Sequence, residues 1–187
     1  KLDYLIDLTE VKLENLDLQD FLKERIVYYL TEGNYEKKVA KAVVEQYPLD
    51  LLPILPRVIA EITEFIYSQS GIRVLTVYKR VSNLLSPNNN VFSFENKQLG
   101  AYATNEDKLF HKHIKLTKEQ VEESLRCKDF KAALKVLISI VEPINQFLDK
   151  VQVNCENNAL RSLRYSLLDR VRQTMDKVIV LSELDKK

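Results

Sequence analysis

The sequence predicts an all-α protein, built as a bundle of six to eight helices. Only 3 of the 187 residues are glycine, about a quarter of the share that is usual in globular proteins, and glycine disfavours helices. Apolar residues recur three and four positions apart along most of the chain, a spacing that places them on one side of a helix. Apolar residues make up 45% of the chain and charged residues 29%, as in an ordinary globular protein.

Capping residues set the bounds of the first two predicted helices. An amphipathic pattern begins at Leu18, where Asp17 fits the N-cap position and Gly33 fits the C-terminal cap. A second helix is predicted over residues 35–47, with Asn34 as its cap and a proline directly after it.

Prolines and glycines separate the next elements. Pro56 fits the first turn of a third helix, where its missing N–H would have no partner. Ser70 and Gly71 predict a break before a fourth helix, which ends near Leu85. Residues 86–105 contain three consecutive asparagines, a proline and a glycine, so a long loop is predicted there.

Helical patterns return in the C-terminal half of the chain. They cover residues 106–125, a segment that starts at Asp129 and kinks or restarts at Pro143, and residues 158–184. No internal repeat with a period of 20 to 50 residues is found.

The predicted domain organisation has two parts. Residues 1–16 form an acidic lead-in segment, and residues 17–187 form a single helical domain with the long loop near 86–105. The chain begins at Lys1 and has no apolar run of signal-peptide or membrane-span length. We therefore expect a soluble fragment of a longer protein, without membrane contact.

Several kinds of chemistry are excluded by the residues. The three glycines are far apart, so neither a dinucleotide-binding fingerprint nor a P-loop can form. Cys127 and Cys155 lack zinc-binding spacing, and His111 and His113 would point to different sides of a helix. No nucleophile elbow, zinc-protease motif or triad-like motif occurs. We expect no catalytic residue, no metal site and no cofactor in this chain.

Two stretches are locally basic, although the formal net charge is only +1. Residues 71–81 contain three basic residues and no acidic one, and residues 160–173 contain four arginines against one aspartate. Arg161 and Arg164 are three residues apart and share a helix face, where guanidinium planes could grip phosphates or stack on unpaired bases. A solvated face fits the same residues, and the neighbouring tyrosines fit a helix core as well as a stacking role.

Two segments carry a family resemblance. The run KRVSNLL, residues 79–85, resembles the K-R-V-x-N-I-L signature of the bacterial-type glycyl-tRNA synthetase β subunit. Residues 142–184 resemble the C-terminal end of that subunit, which contains segments similar to Phe-Phe-Asp-x-Val-Met-Val and Leu-Arg-x-Asn-Arg-Leu-x-Leu-Leu. Residues 21–44 fit the helix pair that precedes the signature.

The matching positions in the C-terminal segment are Phe147, Asp149, Val151, Val153, Leu160, Arg161, Arg164, Leu167, Leu168, Ser182 and Leu184. The sequence departs from the pattern at Leu148, Gln152, Leu163 and Tyr165. The departure at Leu163, where the family has an asparagine, bears most on the detailed contacts to RNA.

The resemblance implies an all-α anticodon-binding domain, related to that of arginyl-tRNA synthetases, at the C-terminus of a β subunit. Its implied function is tRNA anticodon recognition within glycine–tRNA ligase, with no catalysis by this chain. The implied partners are a glycine-specific tRNA and a separate α subunit that holds ATP and Mg²⁺ and activates glycine; no DNA contact is expected. The implied location is the bacterial cytoplasm or an organellar matrix.

An anticodon loop presents unstacked bases, on which arginine planes and tyrosine rings can stack, while lysine and arginine neutralise the flanking phosphates. The residues predicted to contact RNA are Lys79, Arg80, Arg161 and Arg164, with Arg73 and Tyr78 as a weaker ring. Asn83 and Asp149 are predicted to cap or brace helix ends.

A non-catalytic scaffold for docking subunits or other proteins is the alternative function. The same amphipathic helices would then bind a protein, and the basic faces would be incidental. An RNA reader should bind with a steep salt dependence, whereas a scaffold should not.

Overall fold

The computed structural model describes residues 15–85 and 103–184, and every regular element in these two ranges is a helix. The α-helices are α1 (Asn15–Glu32), α2 (Lys37–Gln46), α3 (Leu55–Tyr67), α4 (Gln69–Leu85), α5 (Asn105–Arg126), α6 (Phe130–Ser139), α7 (Val141–Lys150), α8 (Asn158–Asp176) and α9 (Leu181–Leu184). A 3-10 helix, Leu49–Ile54, precedes α3. The prediction of an all-α fold is confirmed.

The described residues divide into two compact units. The first contains residues 15–64 and 182–184, and the second contains residues 65–85 and 103–181. In the second unit, helices pack both on their neighbours in the chain and on helices further along it.

Two of the predicted segments lie largely outside the described residues. They are the acidic lead-in, residues 1–16, and the long loop near 86–105. The single domain over residues 17–187 stays a prediction. Among the helices that are described, none is both long and apolar enough to cross a membrane.

In the first unit, α1 packs against α2, and Asn34 shapes the turn between them. Asn34 has a φ of 65°, and its N–H donates to the Thr31 carbonyl at 3.1 Å. The Tyr35 N–H donates to the Leu30 carbonyl at 3.2 Å. These two bonds form a Schellman motif, which satisfies carbonyl groups at the end of α1.

Three predictions for this helix pair need correction. Helix α1 begins at Asn15, so Asp17 lies inside the first turn instead of capping it. Gly33 follows the helix as predicted, but the left-handed residue is Asn34. Asn34 therefore closes α1, and the N-cap residue of α2 is Glu36.

The break between α3 and α4 lies at Ser68, slightly before the predicted break at Ser70 and Gly71. The Ser68 hydroxyl accepts a hydrogen bond from the Gly71 N–H at 3.0 Å, as an N-cap does. It also donates to the Phe65 carbonyl at 2.6 Å. A Cβ atom on Gly71 would lie 1.9 Å from the Phe65 carbonyl oxygen, so this glycine permits the close approach of the two helix ends.

Helix α5 is capped at both ends. Thr104 and Asp107 form a capping box, in which each side chain accepts a hydrogen bond from the backbone N–H of the other. At the other end, Lys128 has a φ of 56°. Its N–H and that of Asp129 donate to carbonyls of the last helical turn, at 3.0 and 2.9 Å, which completes a second Schellman motif.

The C-terminal helices begin where the sequence predicts, and the last of the long helices ends earlier than predicted. Asp129 caps α6 by accepting from the Ala132 N–H at 2.9 Å. The chain restarts at α7, which places Pro143 in a first turn where it is tolerated. Helix α8 ends at Asp176 and not near Leu184, because the β-branched residues that follow disfavour a helix.

The second unit packs around α5 and α8. Helix α5 contacts α6, α7 and α8, and α4 contacts the same three helices. Phe110 on α5 stacks on Phe147 of α7, with ring centroids 4.1 Å apart. The largest fully buried side chains of this unit include Leu137, Ile144, Leu163, Leu167, Leu168 and Met175. This core holds α4 and α5 in place and leaves one side of each exposed.

Candidate nucleic-acid interface

One exposed side of α4 carries three of the six residues predicted to contact RNA. Arg73, Lys79 and Arg80 are all exposed, whereas the valines between them are buried. With 3.6 residues per turn, these three positions share one side of the helix with Thr76 and Asn83. We term these five residues the α4 basic face. Helix α4 contributes no acidic residue to it.

Arg80 is partly neutralised by helix α7. Its Nη2 lies 3.0 Å from Asp149 Oδ1, and its Nη1 donates to Asn145 Oδ1 at 3.4 Å. The Arg80 side chain is still 45% exposed. An ion pair this exposed contributes little to stability, so a phosphate could take the place of Asp149. The contact joins two side chains, so the role predicted for Asp149 at a helix end stays a prediction.

Tyr78 faces the core and not the α4 basic face. Its side chain is 3% exposed, and its hydroxyl donates to the carboxylate of Asp176 on α8. Burial raises the pKa of Asp176, and this hydrogen bond together with nearby Arg172 opposes the rise. The ring of Tyr78 therefore has no exposed face on which a base could stack. Tyr165 is also buried.

Arg164 is a structural residue in this fold. It is 6% exposed, and its Nε donates to Oδ1 of Asp107 at 3.1 Å. Its Nη1 donates to the Gln152 carbonyl at 2.8 Å. Asp107 is fully buried and also belongs to the capping box of α5. Its donors are used inside the protein, so the Arg164 side chain presents no exposed guanidinium group in this fold.

Arg161 and Arg164 are both on α8, but their surroundings differ. It is half-buried, and its Nη2 donates to Asn158 Oδ1 at 2.6 Å in the first turn of the helix. The predicted joint grip of the two arginines is therefore not formed. Leu163, which departs from the family pattern, is fully buried in the core. RNA contact by any of the six predicted residues stays a prediction.

A second basic surface, which the sequence analysis did not identify, lies on α5. Lys108, Lys112, Lys115 and Lys118 are exposed, and they are four, three and three residues apart. This spacing places them on neighbouring turns of one side of the helix. The spacing of these lysines is visible in the sequence itself.

The described residues offer cations and hydrogen-bond donors, and they form no metal centre. In residues 15–85 and 103–184, no group of three or more His, Cys, Asp or Glu side chains could hold a metal ion. A hydrogen bond to Glu123 is the main cause that raises the pKa of the Cys127 thiol. This keeps Cys127 protonated and weakly nucleophilic. The surface chemistry is suited to binding anions.

Comparison with known proteins identifies relatives of this chain. It is 28% identical over 174 residues to the glycine–tRNA ligase beta subunit of Ralstonia nicotianae, covering 93% of the chain and 24% of the relative. The glycine–tRNA ligase beta subunit of Rickettsia africae is 29% identical over 164 residues, which cover 88% of the chain and 24% of the relative. That of Nitrosomonas europaea is 28% identical, over 89% of the chain and 23% of the relative.

The chain spans about a quarter of the length of these relatives. The family described as "DALR anticodon binding domain" matches residues 74–183, which is more than half of the chain. The matched range begins inside α4 and includes α5 to α8, so it contains Lys79, Arg80 and the α5 lysines as well as the buried pair of Arg164 and Asp107. The chain belongs to the DALR anticodon-binding domain family.

Proposed function

We propose that this chain recognises the anticodon of a glycine-specific tRNA as part of a glycine–tRNA ligase β subunit. The observation that carries the proposal is the family match over residues 74–183, together with the names of the relatives. The chain itself performs no catalysis. Its contribution to the ligase is to select the tRNA to which glycine is attached.

The α4 basic face is the proposed contact surface. Arg73 and Lys79 supply exposed positive charge, and Arg80 supplies a partly exposed guanidinium that contacts Asp149 and Asn145 of α7. Phosphate contacts position a protein on RNA, and planar guanidinium groups can stack on splayed bases. We therefore expect Arg80 to exchange Asp149 for the RNA when the complex forms.

The test is binding of this chain to an anticodon stem-loop of a glycine tRNA, compared with the same stem-loop carrying changed anticodon bases. Both affinities are measured over a salt series. The variant Arg73→Gln with Lys79→Gln removes two positive charges from the α4 basic face. The matched control, Lys131→Gln with Lys135→Gln, removes two positive charges from exposed positions of α6.

We expect tighter binding to the native anticodon, a steep loss of affinity with rising salt, and weaker binding by the α4 variant alone. Each lost phosphate contact should reduce the slope of log affinity against log salt by roughly 0.7 to 0.9. Equal affinity for the two stem-loops would show that the chain does not read the anticodon. An equal loss in the α6 control would show that the α4 basic face is not the contact surface.

The remaining parts of the ligase are proposed from the relatives. A separate α subunit would assemble with the β subunit and would hold ATP and Mg²⁺ for glycine activation. The assembly would act in the bacterial cytoplasm or in an organellar matrix. Co-purification of full-length α and β subunits, with glycine-dependent charging of tRNA only when both are present, tests this part of the proposal.

A docking role has support from a different surface. Phe21, Tyr28 and Tyr29 on α1 are 52%, 62% and 77% exposed, and the Arg25 guanidinium lies 5.3 Å from the centre of the Phe21 ring. Exposed aromatic residues and arginine are typical of protein interfaces. If Tyr28→Ser with Tyr29→Ser weakens assembly with the α subunit and leaves RNA affinity unchanged, α1 is the docking surface.

A further inference from the structure

Helices α5 and α8 border a groove with a volume of about 650 Å³. Its charged lining consists of Lys115, Lys118, Arg170 and Lys177 with Glu119 and Glu122. Four cations against two carboxylates give the groove a net charge of +2 when His111, which also lines it, is neutral. The groove is therefore basic in a protein whose net charge is only +1.

The acidic residues of the groove do not cancel this charge locally. Glu122 lies 3.9 Å from Lys118 and is also bound by Lys177 from α8. Two cations thus share one carboxylate. Lys115 on α5 and Arg170 on α8 add positive charge from opposite walls, so an anion in the groove would be contacted from both sides.

Two of these cations also act on His111 and help to lower its pKa. It is lowered first by burial and then by the charges of Arg170 and Lys115. Positive charges that disfavour an imidazolium at this wall favour an anion at the same place.

The groove continues into a row of lysines along α5. Lys108, Lys112 and Lys115 are exposed, and they follow one another at about 6 Å and about 4.5 Å along the helix axis. A row of cations at such intervals suits a chain of regularly spaced anions better than a single small ligand. The described apolar lining is small, since Ile114 is only 3% exposed, and protein interfaces usually need an apolar centre.

We propose that this groove and the adjoining α5 lysines bind the phosphodiester backbone of the RNA, as a second contact surface that does not distinguish bases. The inference rests on the proposed function and adds a surface to it. The α4 basic face would then determine which anticodon is accepted, and the groove would supply affinity for any RNA of suitable shape.

The test uses Lys115→Gln with Arg170→Gln, which removes one cation from each wall of the groove. The control is again Lys131→Gln with Lys135→Gln. Each protein is titrated with the glycine anticodon stem-loop and with the stem-loop of changed anticodon, over a salt series. Lys115→Gln alone is included so that a folding defect from the loss of Arg170 does not decide the result, and thermal unfolding checks each variant.

We expect the groove variant to bind both stem-loops several-fold more weakly and by the same factor. Its salt slope should be smaller than that of the parent by about 1 to 2, with half of this effect in Lys115→Gln. An unchanged slope would overturn the groove proposal, even if anticodon discrimination were intact, and would leave the groove as a surface for an acidic protein. If the parent protein does not discriminate between the stem-loops but the groove variant still lowers both affinities, the proposed anticodon reading fails while the groove proposal stands.

Discussion

At the scale of single residues, the buried ion pair of Arg164 and Asp107 connects two helices of the second unit. Asp107 is fully buried and forms an ion pair with Arg164 at 3.1 Å. Removing one partner of a buried ion pair leaves an uncompensated charge in a medium of low polarity. The pair therefore ties the start of α5 to the middle of α8, and its loss should affect the folding of both helices.

We expect Arg164→Met to lower the free energy of unfolding by about 3 to 5 kcal/mol, measured by urea denaturation. Arg161→Met makes the same chemical change one turn earlier on α8, and it should cost less than about 1 kcal/mol because only the contact to Asn158 is lost. Adding Asp107→Asn to Arg164→Met should restore part of the loss, since no buried charge remains. Equal losses in the two arginine variants would contradict the structural role.

His111 should make stability depend on pH in a direction opposite to that of a paired histidine. Its pKa in the folded protein is below the ordinary value of 6.5, so the unfolded chain takes up a proton first as the pH falls. The stability contributed by neutral His111 is complete above about pH 6.5 and is lost below it. The charged groups around it in the groove are Lys115, Lys118, Glu119, Glu122, Arg170 and Lys177.

We therefore expect His111→Gln to reduce the fall in unfolding free energy between about pH 7.5 and about pH 5. Urea denaturation of the parent and the variant at several pH values measures this difference. If the two proteins lose stability in parallel over this range, the pKa of His111 is not lowered by burial and the neighbouring cations.

At the scale of elements, two helices end in Schellman motifs that use residues other than glycine. Asn34 tolerates the left-handed region because its short side chain can form local hydrogen bonds. Lys128 has no such compensation, and its φ of 56° closes α5. Lys128 is therefore a less favourable residue for this backbone conformation than glycine would be.

We expect Lys128→Gly to raise the free energy of unfolding by about 1 kcal/mol, because glycine adopts the left-handed conformation without strain. The matched control is Lys135→Gly, at an exposed position in the middle of α6, where glycine should lower stability by about 1 kcal/mol. Thermal or urea unfolding of the two variants checks the opposite signs. A destabilised Lys128→Gly variant would show that the lysine side chain has a role beyond the backbone.

At the scale of the whole molecule, a net charge of +1 cannot by itself attract RNA. Affinity has to come from charge concentrated on the α4 basic face and in the groove between α5 and α8. If both surfaces contact one RNA at separate phosphates, the losses of log affinity should add. A variant with all four substitutions, Arg73→Gln, Lys79→Gln, Lys115→Gln and Arg170→Gln, should then lose as much log affinity as the two double variants lose together. A combined loss no larger than the greater of the two would mean that the surfaces do not act on the same RNA.

The sequence predicted the fold class and most helices, because apolar spacing and capping residues act locally. It placed Asp17, Asn34 and the end of α8 wrongly, since those details depend on neighbouring turns and on β-branched residues after Asp176. The site was harder to predict. Arg73, Lys79 and Arg80 are exposed as the binding role requires.

Arg164 and Tyr78 could not be assigned from the sequence, because their partners are distant in the chain. Asp107 precedes Arg164 by 57 residues, and Asp176 is on a different helix from Tyr78. Local sequence shows that a residue is charged or aromatic, but only the packing of α4, α5 and α8 decides whether it is exposed.

The burial of Arg164 bears on how the anticodon preference of the domain could be changed by mutation. Arg164 is one of the residues by which the sequence matches the family motif, but it is buried in the protein. A motif match at Arg164 therefore indicates the fold and does not indicate which tRNA is bound. Anticodon preference could therefore diverge among related chains while the motif stays the same. An engineer seeking a new preference would keep Arg164 with Asp107 and randomise the exposed positions of α4.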